Sequence, residues 1–127
     1  MKQLLFVLVA ITLFSCKDDS KVEEAVAKIP IEFKVERFDQ IFYQSKPEDL
    51  NKIKAQYPFF FPAGNPDSIW VNKLQNPLLK ELYKEVQMKY PTLGPVEADM
   101  EKMFAYVQYY FPKYKTPRVI TLISEVD

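Results

Sequence analysis

The residue types that most often carry chemistry are scarce in this chain. It has one cysteine, Cys16, and no histidine, so its residues can build no Cys/His zinc site, no His-based triad and no internal disulfide. Carboxylates remain. Glu97, Asp99 and Glu101 stand close together, where acidic groups could hold a divalent cation. Positions two apart on a helix point to different faces, however, and acids early in a helix are favoured by its dipole, so they read as a solvated face. Glu125 and Asp127 fall two apart at the end of a predicted strand. Alternate strand residues share a face, and the carboxyl ends of strands in α/β sheets border binding crevices. The pair is a candidate polar site, set against the plainer reading of a polar strand end. No catalytic residue, no metal ligand and no cofactor is assigned within residues 1–127.

The lone thiol has a clearer context. Lys2 supplies a positive charge, and Leu4 to Phe14 is apolar except for Thr12. At about 1.5 Å per residue this run covers only half of a bilayer core of about 30 Å, so it reads as the hydrophobic part of an export signal over residues 1–15. It leads straight into Leu13-Phe14-Ser15-Cys16, which resembles the bacterial lipobox, with Phe14 off-pattern. There a thiol accepts diacylglycerol, and a small preceding residue lets the peptidase free the cysteine amine for N-acylation. Each buried methylene contributes about 0.8 kcal/mol, so two or three acyl chains hold almost permanently. Covalent lipid on Cys16 is thus the expected modification, and membrane lipid the expected contact. Lys17, Asp18 and Asp19 follow, in a polar tether over residues 16–28. This Lys-Asp-Asp run resembles the surface-export signal of Bacteroidetes lipoproteins and reads equally well as a charged spacer.

Seventeen basic residues balance seventeen acidic ones. Nucleic-acid binding rests on a basic excess gathered to neutralise phosphates, and that class is set aside. Apolar residues make up 48% of the chain and aromatics 15%, enough for a folded core.

Downstream of the tether, residues 29–127 read as the N-terminal part of one domain. Ile31, Phe33 and Val35 alternate with charged residues, as in a half-buried strand. Phe38, Ile41 and Phe42 fall at helical spacing. A helix capped by Ser45, with Pro47, Glu48 and Asp49 in its first turn, is expected to carry Leu50, Ile53 and Tyr57 and to stop at Pro58. The triplet Phe59-Phe60-Phe61 reads as a core plug, with a membrane or partner patch as the alternative. A helix from Asp67 or Ser68 carries Ile69, Trp70, Lys73 and Leu74. Another, capped by Asn76, sets Leu78, Leu79, Leu82, Tyr83 and Val86 on one stripe and ends at Tyr90-Pro91. A further helix runs from Pro95 to Tyr110, with Val96, Met100, Met103, Phe104, Val107 and Phe111 on one side. Val119 to Val126 is rich in β-branched residues and reads as a strand buried on both faces. The sum is a helix-rich α/β arrangement, α+β being possible, with at least two strands. Because two strands make a marginal sheet, the sheet is expected to continue beyond residue 127.

The segments Val35-Glu36-Arg37-Phe38-Asp39, Tyr57-Pro58-Phe59-Phe60-Phe61-Pro62, Pro66-Asp67-Ser68-Ile69-Trp70, Tyr109-Tyr110-Phe111-Pro112 and Thr116 to Ser124, with Ile29-Pro30, Pro77-Leu78-Leu79 and Lys89-Tyr90-Pro91, resemble the gliding-motility lipoprotein B (GldB) family of Bacteroidetes. The resemblance implies a longer full-length protein and a membrane-anchored, non-enzymatic accessory of gliding tied to type IX secretion. Its partners would be other envelope proteins, and outer membrane is favoured over inner. The family also looks distantly similar to predicted zinc peptidases, whose histidines would lie past Asp127. A glycan-binding surface lipoprotein is the third reading, and it needs Trp70 or Tyr109 and Tyr110 on an exposed face.

Overall fold

A computed structural model describes residues 19–124. In chain order these form α1 (Asp19–Val26), β1 (Val35–Glu36), α2 (Phe38–Tyr43), a 3-10 turn (Pro47–Asp49), α3 (Leu50–Gln56), a second 3-10 turn (Pro58–Phe60), α4 (Asp67–Gln75), α5 (Pro77–Lys89), α6 (Gly94–Tyr110) and β2 (Val119–Ile120). This is the helix-rich α/β arrangement expected, with a small parallel sheet of two strands among the described residues. The chain divides into two compact units, one of Lys34–Gly94 with the segment from Arg118 onward, the other of residues up to Phe33 with Pro95–Pro117.

In the first unit Val35 pairs with Val119 and Glu36 with Ile120. The ladder is carried a step further by the Thr121 amide, which donates to the Glu36 carbonyl at 2.9 Å, and by the Asp39 amide, which donates to the Thr121 carbonyl at 3.1 Å. Burial alternates along residues 31–35 as expected, yet only Val35 and Glu36 reach a partner strand. The second strand corrects its expectation too. Val119, Ile120 and Ile123 are half-buried and Leu122 is exposed, because β1 is the one strand beside it among the described residues.

The core of this unit is aromatic. Phe38, Phe42, Leu50, Ile53, Tyr57, Phe61 and Leu74 are buried together. Phe38 lies at its centre, edge-on to Tyr57 at 5.1 Å and tilted against Phe60 at 4.5 Å. Such ring pairs contribute about 1 kcal/mol each beyond area burial. The Tyr57 amide closes α3 onto the Ile53 carbonyl, and Pro58 then prevents continuation. This delivers the phenylalanine triplet to three environments: Phe61 is buried edge-on to Trp70 at 4.8 Å, Phe60 is half-buried, and Phe59 is exposed. The plug is therefore Phe61 with Phe60. Gly64, at φ +97°, makes the turn that follows.

Asn76 caps α5 as expected, its Oδ1 accepting from the Leu78 amide at 2.9 Å and the Leu79 amide at 3.4 Å. Ser45 does not cap α3. Its hydroxyl instead donates to the Phe42 carbonyl at 2.6 Å and so finishes α2, whose last residue is Tyr43. Asp49 takes over the turn, accepting from the Lys46 amide at 3.1 Å. On α5 the expected stripe is only partly covered. Leu79 is buried and Tyr83 and Val86 are half-buried, but Leu82 is exposed and Leu78 is 70% exposed.

The second unit pairs α1 with α6. Residues 19–26, expected in a polar tether, form a full helix in which Val26 is buried. Val26, Ala27 and Ile29 share a cleft of about 390 Å³ with Ala98, Ala105 and Tyr106 of α6. Phe104 and Ala105 are buried on α6, and Phe33 meets Phe104 edge-on at 5.2 Å. Met100 and Val107 are half-buried, whereas Val96, Met103 and Phe111 are exposed. Among the described residues no helix is long and apolar enough to cross a membrane.

Candidate functional site

The first unit gathers its charge around Asp39, whose position at the start of α2 brings it beside the end of β2. The side chain is only 2% exposed. Arg37 donates through Nε to Oδ1 at 2.9 Å and through Nη2 to Oδ2 at 2.7 Å, a two-pronged pairing matched to carboxylate geometry. Gln87 of α5 donates to Oδ2 at 3.0 Å, and the Thr121 hydroxyl donates a short bond to Oδ1. Gln87 in turn accepts from Gln40 at 2.6 Å and from Arg37 at 3.2 Å.

Burial pushes the Asp39 carboxyl up, but the hydrogen bonds from Arg37, Thr121 and Gln87 and the Arg37 charge outweigh it and hold the group below the usual carboxylate range. Both oxygens are taken, and the carboxylate stays ionised. Such a group is poorly placed to accept a proton from a substrate; it ties β1, α2, α5 and β2 to one point. No buried side-chain nitrogen or oxygen among the described residues lacks a partner.

A second ion pair flanks the sheet. Arg118 donates through Nε and Nη2 to the two oxygens of Glu36, both at 2.8 Å, and this pairing holds the Glu36 carboxyl down at about 2. The guanidinium lies 5.7 Å from the Tyr57 ring centre and 5.5 Å from that of Phe59. Burial and the Glu36 charge raise the Tyr57 hydroxyl.

Beside Asp39 opens a cavity of about 300 Å³, walled by Phe38, Phe42, Tyr43, Phe60 and Trp70, with Lys73, Leu122, Ile123 and Ser124 completing it. Lys73 sets its ammonium 5.6 Å from the Trp70 ring centre. With Asp39 already satisfied, what this cavity offers is mainly ring faces.

Of the residues singled out from sequence, Cys16, Lys17, Asp18, Glu125 and Asp127 lie outside the described residues, and Asp19 is the first residue of α1. On α6, Glu97 is half-buried while Asp99 and Glu101 are exposed. Among the described residues no group of three or more His, Cys, Asp or Glu side chains could hold a metal ion. Trp70 is half-buried against Phe61, whereas Tyr109 and Tyr110 are exposed. Sequence reasoning did not single out the Asp39 cluster. A signal was present in the dense charge of Glu36-Arg37-Phe38-Asp39 at a strand end, but the partners Gln87 and Thr121 stand 48 and 82 residues away.

Fold and site together define a small helix-rich α/β scaffold whose buried charge locks its elements to one another. Residues 19–127 match the family described as gliding motility protein GldB, and the chain belongs to that family. It is a family of gliding-motility lipoproteins, hence of membrane-anchored proteins of the cell envelope. Nothing among curated proteins or solved structures matches the chain.

Proposed function

We propose that this chain belongs to a lipid-anchored, non-enzymatic accessory of gliding, which acts by contact with other envelope proteins of the gliding and type IX secretion machinery. The observation that carries the reading is the family match over residues 19–127. The lipobox-like Leu13-Phe14-Ser15-Cys16 supports an acyl anchor attached just ahead of α1. The saturated Asp39 cluster supports a scaffold rather than a reacting centre, since its carboxylate is occupied by donors from within the fold. The outer membrane is the favoured location. The test is deletion of the gene in its own host, followed by microscopy of single cells on agar. Loss of gliding, restored by the intact gene and not by a Cys16→Ser gene, is the expected result; cells that still spread normally would end the reading.

A further inference from the structure

The end of α6 carries an unusual surface. Tyr109 and Tyr110 close the helix and are exposed, with their rings edge-on at 5.0 Å. Phe111, 67% exposed, follows at once, and the turn brings round Lys113, Tyr114 and Lys115. The turn is firmly built. The Phe111 amide donates to the Val107 carbonyl and the Tyr114 amide to the Phe111 carbonyl, each at 2.8 Å, and the Tyr114 ring stacks over buried Phe104 at 6.4 Å. A run of exposed rings interleaved with lysines is costly in water. It fits the headgroup level of a bilayer, where amphipathic rings sit at the boundary and ammonium groups meet anionic phosphates.

The position of the anchor says which surface would cover it. Only three peptide links separate Cys16 from Asp19, a reach of about 10 Å at most, and α1 adds about 12 Å. α1 packs on α6 in the cleft lined by Tyr106, and Tyr110 lies one helical turn, about 6 Å, further along. The acyl chains therefore hold this same unit close to the membrane. Resting on the reading of Cys16 as the lipidated residue, we infer that the tip of α6 with its following turn is a second, non-covalent membrane contact. It lays the rings of Tyr110 and Phe111 into the headgroup region and sets Lys113 and Lys115 against lipid phosphates.

The test uses the full acylated chain, purified from membranes and reconstituted in phosphatidylethanolamine vesicles containing phosphatidylglycerol. Because Cys16 is the chain's one cysteine and carries lipid, Lys113→Cys adds a single free thiol for an environment-sensitive fluorophore. Asp99→Cys, exposed near the opposite end of α6, is the comparison. Shallow nitroxide lipids should quench the label at 113 about threefold more than at 99, as interfacial depth requires. Adding Tyr110→Ser and Phe111→Ser should bring the two labels level. Equal quenching at both positions, or quenching at 113 that ignores the double substitution, overturns the inference and leaves the rings to a protein surface. Mass spectrometry of the same sample separates the two claims: an acylated chain with equal quenching refutes this contact alone, while a chain without acyl groups refutes both the contact and the anchor.

Discussion

Asp39→Asn is the sharpest probe of the fold, because it changes charge and one acceptor while leaving volume nearly untouched. In the native chain the carboxylate receives two bonds from Arg37 and one each from Gln87 and Thr121. An amide has one oxygen, and its NH2 group must face at least one of those donors. Breaking a buried ion pair from one side costs about 3–5 kcal/mol. Arg37 keeps some water contact, its side chain being 16% exposed against 2% for Asp39, so the lower end, about 3 kcal/mol, is expected. With a urea dependence of about 1.5 kcal/mol per molar, the unfolding midpoint should fall by about 2 M. Fluorescence of Trp70, the chain's one tryptophan, reads the transition directly because the indole packs on buried Phe61. The pH dependence gives a second check. The folded-state carboxyl lies below its ordinary 3.8, so its contribution is complete above about pH 5 and is lost as pH falls through the lowered value. The gap between the native chain and Asp39→Asn should be widest near neutrality and shrink towards pH 2. A loss under about 1 kcal/mol at pH 7, or a gap that does not narrow in acid, would refute the assignment of Asp39 as the buried tie point.

Other changes follow from the same geometry. Arg118→Met should let the Glu36 carboxyl climb from about 2 towards its ordinary 4.5, measured by NMR titration of its side-chain carbon; a value that stays near 2 would mean that Arg118 is not the cause. Asn76→Ala should lower stability by about 1 kcal/mol by removing the acceptor for two α5 amides, read by urea unfolding. Ile53→Ala, within the aromatic core, should cost about 3 kcal/mol, against less than about 0.5 kcal/mol for Lys80→Ala on the exposed face of α5.

Helices were legible in the sequence where local chemistry defines them. Asn76 with Pro77 started α5, the proline after Tyr57 stopped α3, and the aromatic-proline pairs at Tyr90 and Phe111 marked the ends of α5 and α6. Ser45 misled because a hydroxyl next to a helix end can serve either helix, and here it donates to the Phe42 carbonyl. Within the expected strand, residues 119–124 were over-read for a similar reason: β-branched composition reports a liking for extended backbone, while burial on both faces depends on neighbours that composition does not name. The Asp39 cluster was invisible for the same cause, since it exists only after the parallel pairing of β1 with β2 and the docking of α5 bring Thr121 and Gln87 to it. Nor did the stripe on α5 distinguish Leu79, which is covered, from Leu78, which is not.

The lipid anchor is the claim on which the proposed membrane attachment of this chain rests, and one measurement addresses it most directly: the mass of the N-terminal peptide of the mature protein taken from its own cells. The expected product begins at Cys16, bearing a thioether-linked diacylglyceryl group and an N-acyl chain. A peptide that still carries residues 1–15, or one that begins at Cys16 without fatty acyl mass, would contradict the account.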